Sequence, residues 1–293
     1  MRYGTGVALV ALAAVMWSTM GLLVRAIGPA DAWTIVFWRS AGMVPVLLAV
    51  VALRQGAVLR PFADTGLPGV IGGLGLVAAF GGAITAFQIT TVANAVFLFS
   101  AAPFFAAVLG WLILREPVRG ATWGAIGLAV AGMFLMVREG LGTGATAGNV
   151  AALISALGFA TFTVALRRGR LGDMLPATVL GGVFSMIAGA AVILGAGGTL
   201  AAPLPVIGIA VFMGAGTLAA GLVLYTLGSR VIPAAELTLL SMIEVLLAPL
   251  WVWLAFGEMA SAGTFAGGAV VLAAVVLNAL SGARRVPAAP PVA

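Results

Sequence analysis

Two ionisable residues, Arg39 and Glu244, lie within long apolar stretches of the sequence. A charged side chain at membrane depth is energetically expensive and usually functional. Glu244 is therefore a candidate to contact a substrate amine or to carry a proton, and Arg39 is a candidate to contact a carboxylate. The structural alternatives are that each side chain satisfies a backbone carbonyl or a hydroxyl, or that the two pair with each other. Arg39 can also extend to the membrane surface, because it lies about two turns from the start of its helix.

The residues around Glu244 place polar side chains on one face of a helix. Ser241, Glu244, Ala248 and Trp251 follow i, i+3, i+7 and i+10 spacing, which defines a single helical face. This face carries most of the polarity of its segment, so we predict that it faces the interior of a helix bundle and not lipid. Ser241 and Glu244 are its two predicted substrate contacts.

Five aromatic residues are predicted to line an amphipathic pocket together with these polar groups. Aromatic rings bury a large area and stack on planar or apolar molecules. Trp17 lies in the middle of an apolar stretch beside Ser18 and Thr19. The alternative for each ring is packing between helices or against lipid. The predicted pocket aromatics are Trp17, Phe80, Phe99, Phe159 and Tyr225.

Two prolines and two amides are predicted to act at helix interruptions and helix ends. Proline inside a membrane helix frees backbone carbonyls, so Pro103 and Pro249 are predicted to kink or hinge their helices. Gln88 and Asn94 flank a very short connection between two apolar stretches. They are candidate hydrogen-bonding residues of a gate, with helix capping at the membrane surface as the alternative.

The composition excludes most catalytic classes. The chain contains no Cys and no His, which excludes disulfides, thiolate nucleophiles, Ser-His-Asp triads and zinc or haem sites. It has no phosphate loop and no pair of catalytic carboxylates. We therefore expect no enzyme activity, no catalytic residue, no metal and no cofactor. The 14 cations are all Arg and are scattered between apolar runs, which argues against nucleic-acid binding.

Hydrophobic residues make up 63% of the chain and charged residues only 8%, compared with about 25% charged residues in soluble domains. An α-helix needs about 20 apolar residues to cross a bilayer. The sequence contains ten such stretches and predicts an all-α polytopic membrane protein. The predicted spans are residues 6–27, 32–53, 67–89, 91–113, 119–137, 148–167, 174–196, 204–228, 233–256 and 262–281.

The distribution of Arg predicts the orientation of these helices. Cytoplasmic loops of membrane proteins are enriched in Lys and Arg. With a cytoplasmic N-terminus, 11 Arg lie on the cytoplasmic side, and only Arg25 and Arg138 lie outside. We therefore expect both termini in the cytoplasm, with Arg284 and Arg285 at the C-terminal end, and an even number of helices.

A shift of 142 residues aligns the two halves of the sequence without a gap. Charged and aromatic residues near predicted helix ends match, which a chance alignment of two Ala-rich halves does not produce. The sequence thus predicts two five-helix repeats, residues 1–142 and 143–281, followed by a disordered cytoplasmic tail at 282–293. The matched residues are Gly6 and Gly148, Thr19 and Thr161, Arg25 and Arg167, Asp31 and Asp173, Gly72 and Gly214, Trp111 and Trp253, Glu116 and Glu258, and Thr122 and Thr264, with Trp17 opposite Phe159.

An odd number of helices per repeat inserts the second repeat upside down relative to the first. Inverted repeats are the architecture of secondary transporters, in which the substrate site lies near the membrane midplane and access alternates between the two sides. The connecting loops are too short to contain an ATPase domain. Transport is therefore expected to draw on a gradient of solute or protons.

The segment 100–137 resembles the fourth and fifth helices of the EamA-like branch of the drug/metabolite transporter superfamily. The resemblance depends on Pro103, on Glu116 at the helix end and on the Gly-rich start of the next helix. The segment 241–280 resembles the C-terminal counterpart of this family. In that counterpart a Glu is often followed directly by Pro, whereas here the proline is displaced to Pro249, which places the kink about one turn later.

The resemblance extends over nearly the whole chain and includes the ten-helix exporters of neutral and aromatic amino acids in this family. It implies a bacterial inner-membrane carrier that exports small metabolites, with its substrate and the lipid bilayer as partners. Export of hydrophobic cations, drugs or other metabolites is the alternative, and a channel-like pore or an intramembrane enzyme is less favoured. The sequence leaves substrate, direction, ion coupling and oligomeric state open, and a monomer is compatible with the pattern.

Overall fold

The computed structural model describes residues 2–56, 59–140, 146–169, 173, 175–232 and 234–283. These residues form helices and no strand, and a short 3₁₀ turn at Ser229–Val231 follows the eighth helix. In chain order the helices are α1 (Tyr3–Ile27), α2 (Ala32–Gln55), α3 (Leu59–Ile89), α4 (Val92–Leu114), α5 (Gly120–Gly140), α6 (Thr146–Arg168), α7 (Leu175–Gly195), α8 (Leu204–Gly228), α9 (Ala234–Phe256) and α10 (Ala262–Ala283).

Within the described residues, eight helices have the length and apolarity to cross a membrane. The other two, α5 and α9, contain the shorter apolar segments Gly120–Met136 and Leu240–Phe256. This result confirms the predicted fold class, an all-α polytopic membrane protein. It follows from the composition, because only a helix satisfies every backbone hydrogen bond within one apolar segment.

The C-terminal boundary differs slightly from the prediction. Helix α10 extends to Ala283, so residues 282 and 283 belong to the helix and not to the predicted tail. Residues 284–293, with Arg284 and Arg285, lie outside the described residues. The predicted boundary between the repeats, at residues 142 and 143, also lies outside them.

Besides α3, whose backbone is non-helical at Gly66, three helices are interrupted along their length. Helix α1 is interrupted at Thr19, where the hydroxyls of Ser18 and Thr19 donate to carbonyls three residues earlier at 2.6 and 2.7 Å. Helix α4 is interrupted at Ser100, whose hydroxyl donates to Phe97 O at 2.6 Å. Helix α8 contains a π-helical segment at Met213–Ala219. Hydroxyls that bond to the preceding turn compete with helical hydrogen bonding, which explains the first two interruptions.

Two pairs of helices approach each other closely where two glycines face each other. A Cβ atom on Gly158 of α6 would lie 2.5 Å from the carbonyl oxygen of Gly75 in α3. A Cβ atom on Gly132 of α5 would lie 2.7 Å from the carbonyl oxygen of Gly267 in α10. Small residues let helix backbones pack in the membrane, where the hydrophobic effect supplies little attraction between helices.

The 142-residue shift relates each helix of one half to a counterpart in the other half, and helices that pack together have counterparts that also pack together. Helix α3 packs against α6, and their counterparts α8 and α1 also pack against each other. Helix α4 packs against α6, and the counterparts α9 and α1 do the same. Helix α2 packs against its own counterpart α7, and α5 packs against its counterpart α10. Two related five-helix units would produce this correspondence.

Candidate functional site

A cavity of about 360 Å³ lies between the helices, and we call it the central cavity. Its lining comes from α1, α2, α3, α4, α6, α7, α8 and α9, whereas α5 and α10 contribute no residue to it in the described part of the chain. All eight predicted substrate-binding residues lie in this lining. They are Trp17, Arg39, Phe80, Phe99, Phe159, Tyr225, Ser241 and Glu244.

Arg39 is buried in the wall of the central cavity, with only 3% of the residue exposed. Its guanidinium carbon lies 4.3 Å from the centre of the Phe80 ring, so the cation contacts an aromatic face. The Nε and Nη2 atoms are buried and form no hydrogen bond. Arg39 therefore does not extend to the membrane surface, and two of its nitrogen atoms are buried without a hydrogen-bond partner among the described residues.

Glu244 lies in the lining on α9 and is partly exposed. Arg39 and Glu244 are both described residues, and they form no ion pair with each other. One turn earlier, Ser241 is hydrogen-bonded to the side chain of Tyr225 on α8. The cavity thus presents a cation and a carboxylate that do not neutralise each other by direct contact.

Trp17 occupies its place in the cavity because the facing residue of α8 has no side chain. A Cβ atom on Gly221 would collide with Nε1 of the indole. The Trp17 ring centre lies 5.4 Å from that of Tyr225, with the rings tilted by 40°. Phe99 makes a similar contact with Phe87, at 5.4 Å and nearly perpendicular. These ring pairs form rigid apolar walls of the kind that hold flat or amphipathic molecules.

Beyond the cavity lining, toward the C-terminal end of α9, the polar face of this helix packs against α1. Trp251 Nε1 donates to Ser18 Oγ at 2.8 Å, and Ala248 is buried. Helix α9 continues without a break through Pro249, which borders a second groove of about 350 Å³ with Trp253 and Phe265. Pro103, in contrast, lines the central cavity and directly follows the interruption of α4 at Ser100. The prolines of the two symmetry-related helices α4 and α9 therefore have different local structures.

Gln88 and Asn94 lie outside the lining of the central cavity. Gln88 Nε2 donates to Ala30 O at 2.6 Å, which ties the end of α3 to the connection between α1 and α2. Asn94 is 4% exposed, and its Nδ2 donates to Thr90 Oγ1 at 3.0 Å and to the side chain of Asn149 in α6. Both amides connect helix ends, while the capping of α4 comes from Thr91.

Sequence reasoning missed two contacts between charged residues. Arg25 at the end of α1 forms an ion pair with Glu258 after α9, with 2.7 Å between Nη2 and Oε2. Arg167 at the end of α6 forms an ion pair with Glu116 after α4. The alignment of the two halves matched Arg25 with Arg167 and Glu116 with Glu258. It did not predict which glutamate each arginine contacts.

The cavity can bind a small amphipathic molecule. Ligand pockets usually combine apolar walls with a few polar groups that fix orientation. Here the polar groups include a buried guanidinium, a carboxylate and the Ser241 hydroxyl. Among the described residues, no cluster of three metal-ligating side chains is present. In the described part of the chain, a bundle of ten helices of which eight line one such cavity is typical of an α-helical membrane protein of the transporter class.

Residues 4–138, which extend from α1 into α5 and make up just under half of the chain, match the EamA-like transporter family. This match supports a multi-pass membrane transporter of small molecules. A solved structure described only as the crystal structure of a protein has a TM-score of 0.66 and 17% sequence identity, covering 97% of this chain and 100% of that chain. It shares the fold. No curated protein matches the chain.

Proposed function

We propose that the protein is a secondary transporter of the bacterial inner membrane that exports small metabolites, above all neutral and aromatic amino acids. The observation that carries this proposal is the burial of Arg39 in the cavity wall with two donors unpaired. An isolated buried cation is costly, so a ligand that brings an anion to it gains strongly. A substrate carboxylate is the simplest such group.

The other lining residues complete an amino-acid site around this cation. Glu244 accepts the substrate ammonium group, and its lack of contact with Arg39 leaves room for both ends of a zwitterion. Trp17 and Tyr225 form an apolar wall against which the side chain of the substrate packs. A cavity of about 360 Å³ falls in the range of about 300–1,000 Å³ that is usual for small-molecule pockets.

Alternating access around this cavity is the proposed mechanism, with repeats at residues 1–142 and 143–281. The exchange of helix partners under the 142-residue shift supports it, as does the end of the family match at residue 138. The positive-inside rule places both termini in the cytoplasm. One chain supplies the whole cavity lining, so a monomer suffices for this mechanism.

Export of hydrophobic cations is the second candidate. The observation that favours it is the apolar and aromatic character of most of the lining, with Glu244 as the counter-ion. Arg39 argues against it, because a buried cation in the same wall repels a cationic substrate. A channel-like pore and an enzyme are less favoured, since the cavity has the form of a binding site and the family is one of transporters.

Counterflow in liposomes tests the proposal. Purified protein is reconstituted with unlabelled phenylalanine or tryptophan inside, and uptake of the labelled amino acid is measured. We expect saturable counterflow that falls at least about tenfold in Arg39→Gln and Glu244→Gln, because each variant loses a charge-assisted contact. Arg60→Gln and Asp64→Asn are the matched controls, since both residues are exposed and outside the cavity lining.

A thermal melt of the same variants separates binding from folding. Removal of an uncompensated buried charge relieves its desolvation, so Arg39→Gln should melt at or above the wild-type temperature while losing transport. A lower melting temperature with parallel loss of transport would make Arg39 a structural residue. Counterflow of a lipophilic cation, but of no amino acid, would favour the second candidate. Flux without saturation would favour a pore.

A further inference from the structure

The two ion pairs lie at opposite ends of the helix bundle, and each joins the two halves of the chain. Arg25 ends α1 and contacts Glu258, whereas Arg167 ends α6 and contacts Glu116. The chain crosses the bundle five times between Arg25 and Arg167, which places them at opposite ends. The 142-residue shift converts one pair into the other with its partners exchanged, Arg25 into Arg167 and Glu116 into Glu258.

The backbone presents the two glutamates in the same way. The residue before each one has a left-handed conformation, with φ of 55° at Arg115 and 66° at Gly257. This conformation ends the helix and turns the chain, so the next residue points toward the neighbouring arginine. An arginine in this region is sterically disfavoured relative to a right-handed conformation, because its Cβ approaches the following carbonyl oxygen. The turn at Arg115 therefore forms in spite of its side chain, as expected for a geometry fixed by the surrounding contacts.

The pair at the Arg25 end also bonds to the start of α4. Glu258 Oε1 accepts from the backbone nitrogen of Val92 at 2.7 Å, and Arg25 Nη2 donates to Thr90 O at 2.8 Å. One cluster thus fastens α1 and α9 to the α3–α4 connection. Its side chains are 25% and 20% exposed, whereas those of Arg167 and Glu116 are 48% and 40% exposed. The Arg25 end is the more tightly closed in this structure.

The helices joined by the ion pairs also line the central cavity. Trp17 lies on α1 and Glu244 on α9, while Phe99 lies on α4 and Phe159 on α6. Separation of α1 from α9 at the Arg25 end would break the Arg25–Glu258 pair, and separation of α4 from α6 at the Arg167 end would break the Arg167–Glu116 pair.

We propose that Arg25–Glu258 and Arg167–Glu116 are the two gate contacts of the transporter, each closing one end of the central cavity. The proposal rests on alternating access as the proposed function. It assigns four residues outside the cavity a role in the conformational equilibrium. An ion pair that forms in only one of two states shifts the population between them by its own free energy.

Cysteine accessibility tests this proposal without any assay of transport. The chain contains no Cys, so one introduced residue is the only target for a membrane-impermeant maleimide. Ala83→Cys reports on the cavity, since Ala83 lies in its lining. Ala196→Cys at the Arg25 end and Ala63→Cys at the Arg167 end are exposed, and they establish which side of the vesicle each end faces.

The two gate variants are expected to act in opposite directions. Glu258→Gln should raise labelling of Ala83→Cys from the Arg25 end about tenfold and lower it from the other end, because a charge-assisted contact is lost. Glu116→Gln should raise labelling from the Arg167 end, by a smaller factor because that pair is more exposed. Asp64→Asn is the matched control and should leave both rates unchanged.

Charge exchange provides a second test that does not depend on one variant folding. Arg25→Glu combined with Glu258→Arg should restore the wild-type labelling pattern, and Arg167→Glu combined with Glu116→Arg should do the same at the other end. Folded variants that shift labelling in the same direction, or in neither, would overturn the gate assignment. Failure of amino-acid counterflow with opposite labelling shifts would reject the substrate and leave the gates standing.

Discussion

At the scale of single residues, the proposed function depends on charged side chains whose burial in the cavity wall is energetically unfavourable. Arg39 is buried against the Phe80 ring with two unpaired donors, and Glu244 lies in the same cavity without an ion-pair partner. A protein selected for stability alone would replace such charges with apolar residues. Their presence in one cavity is best explained by a ligand that carries the complementary charges.

The fit of Trp17 against Gly221 gives a prediction at this scale. Gly221→Ala places a methyl group in collision with the indole nitrogen, so the ring must tilt into the cavity. We expect the half-saturation concentration for tryptophan counterflow to rise about tenfold, through loss of stacking area, with little change in melting temperature. Gly208→Ala on the same helix is the control, because its Cβ would meet no atom within 4 Å. Equal effects of the two changes would contradict the assigned role of Trp17.

At the scale of helices, the α5–α10 pair differs from the helices that line the cavity. Helices α5 and α10 contribute no described residue to the cavity and pack against each other, whereas the interrupted helices α1, α4 and α8 all line it. Interruptions free backbone groups that a cavity can satisfy. We therefore expect the α5–α10 pair to support the bundle, whereas the other eight helices surround the cavity.

The crossing of α5 and α10 gives a prediction at the helix scale. Gly132→Val forces the two backbones apart, because even its Cβ would lie 2.7 Å from the Gly267 carbonyl oxygen. We expect a loss of roughly 2 kcal/mol or more in stability, as for other overpacked contacts, seen as a lower melting temperature in detergent. Gly124→Val on the same helix meets open space and should be neutral. A neutral Gly132→Val would exclude this crossing as a supporting contact.

For the whole molecule, we expect the distribution of charged residues, and not the helix packing, to set the orientation of the bundle in the membrane. The bundle has the same helix contacts whichever end faces the cytoplasm, and the excess of Arg at one end decides the matter. Arg54, Arg60, Arg115, Arg119 and Arg167 all lie at the Arg167 end. We expect these residues to anchor that end in the cytoplasm, which would place the proposed gate at Arg25 on the outer side.

Labelling of intact cells tests this orientation. Ala196→Cys should react with an impermeant maleimide added outside, and Ala63→Cys should react only after the membrane is permeabilised. Both replace an exposed alanine with a residue of similar size, so neither disturbs the bundle. External labelling of Ala63→Cys alone would invert the proposed topology and exchange the sides assigned to the two gates.

Much of the fold and of the cavity lining follows from local sequence. Length and apolarity specify a membrane helix, and i, i+3, i+7 spacing brought Ser241 and Glu244 to one face of α9. The interruption of α1 at Thr19 was not predicted, although the polar residues Ser18 and Thr19 follow Trp17 in the sequence. The hydrogen-bond partners of Gln88 and Asn94 could not be predicted from neighbouring residues, because Ala30 and Asn149 lie far away in the sequence.

The sequence by itself determined the helices, the fold class, the duplicated pattern and the charged and aromatic residues of the cavity. Only the tertiary structure decided that Arg39 contacts Phe80 and not Glu244, and that each terminal arginine pairs with a glutamate of the other half. The physical reason is that helix formation depends on neighbouring residues, whereas an ion pair depends on where distant helices cross. In a chain of 41 Gly and many Ala, the apolar pattern alone does not specify those crossings.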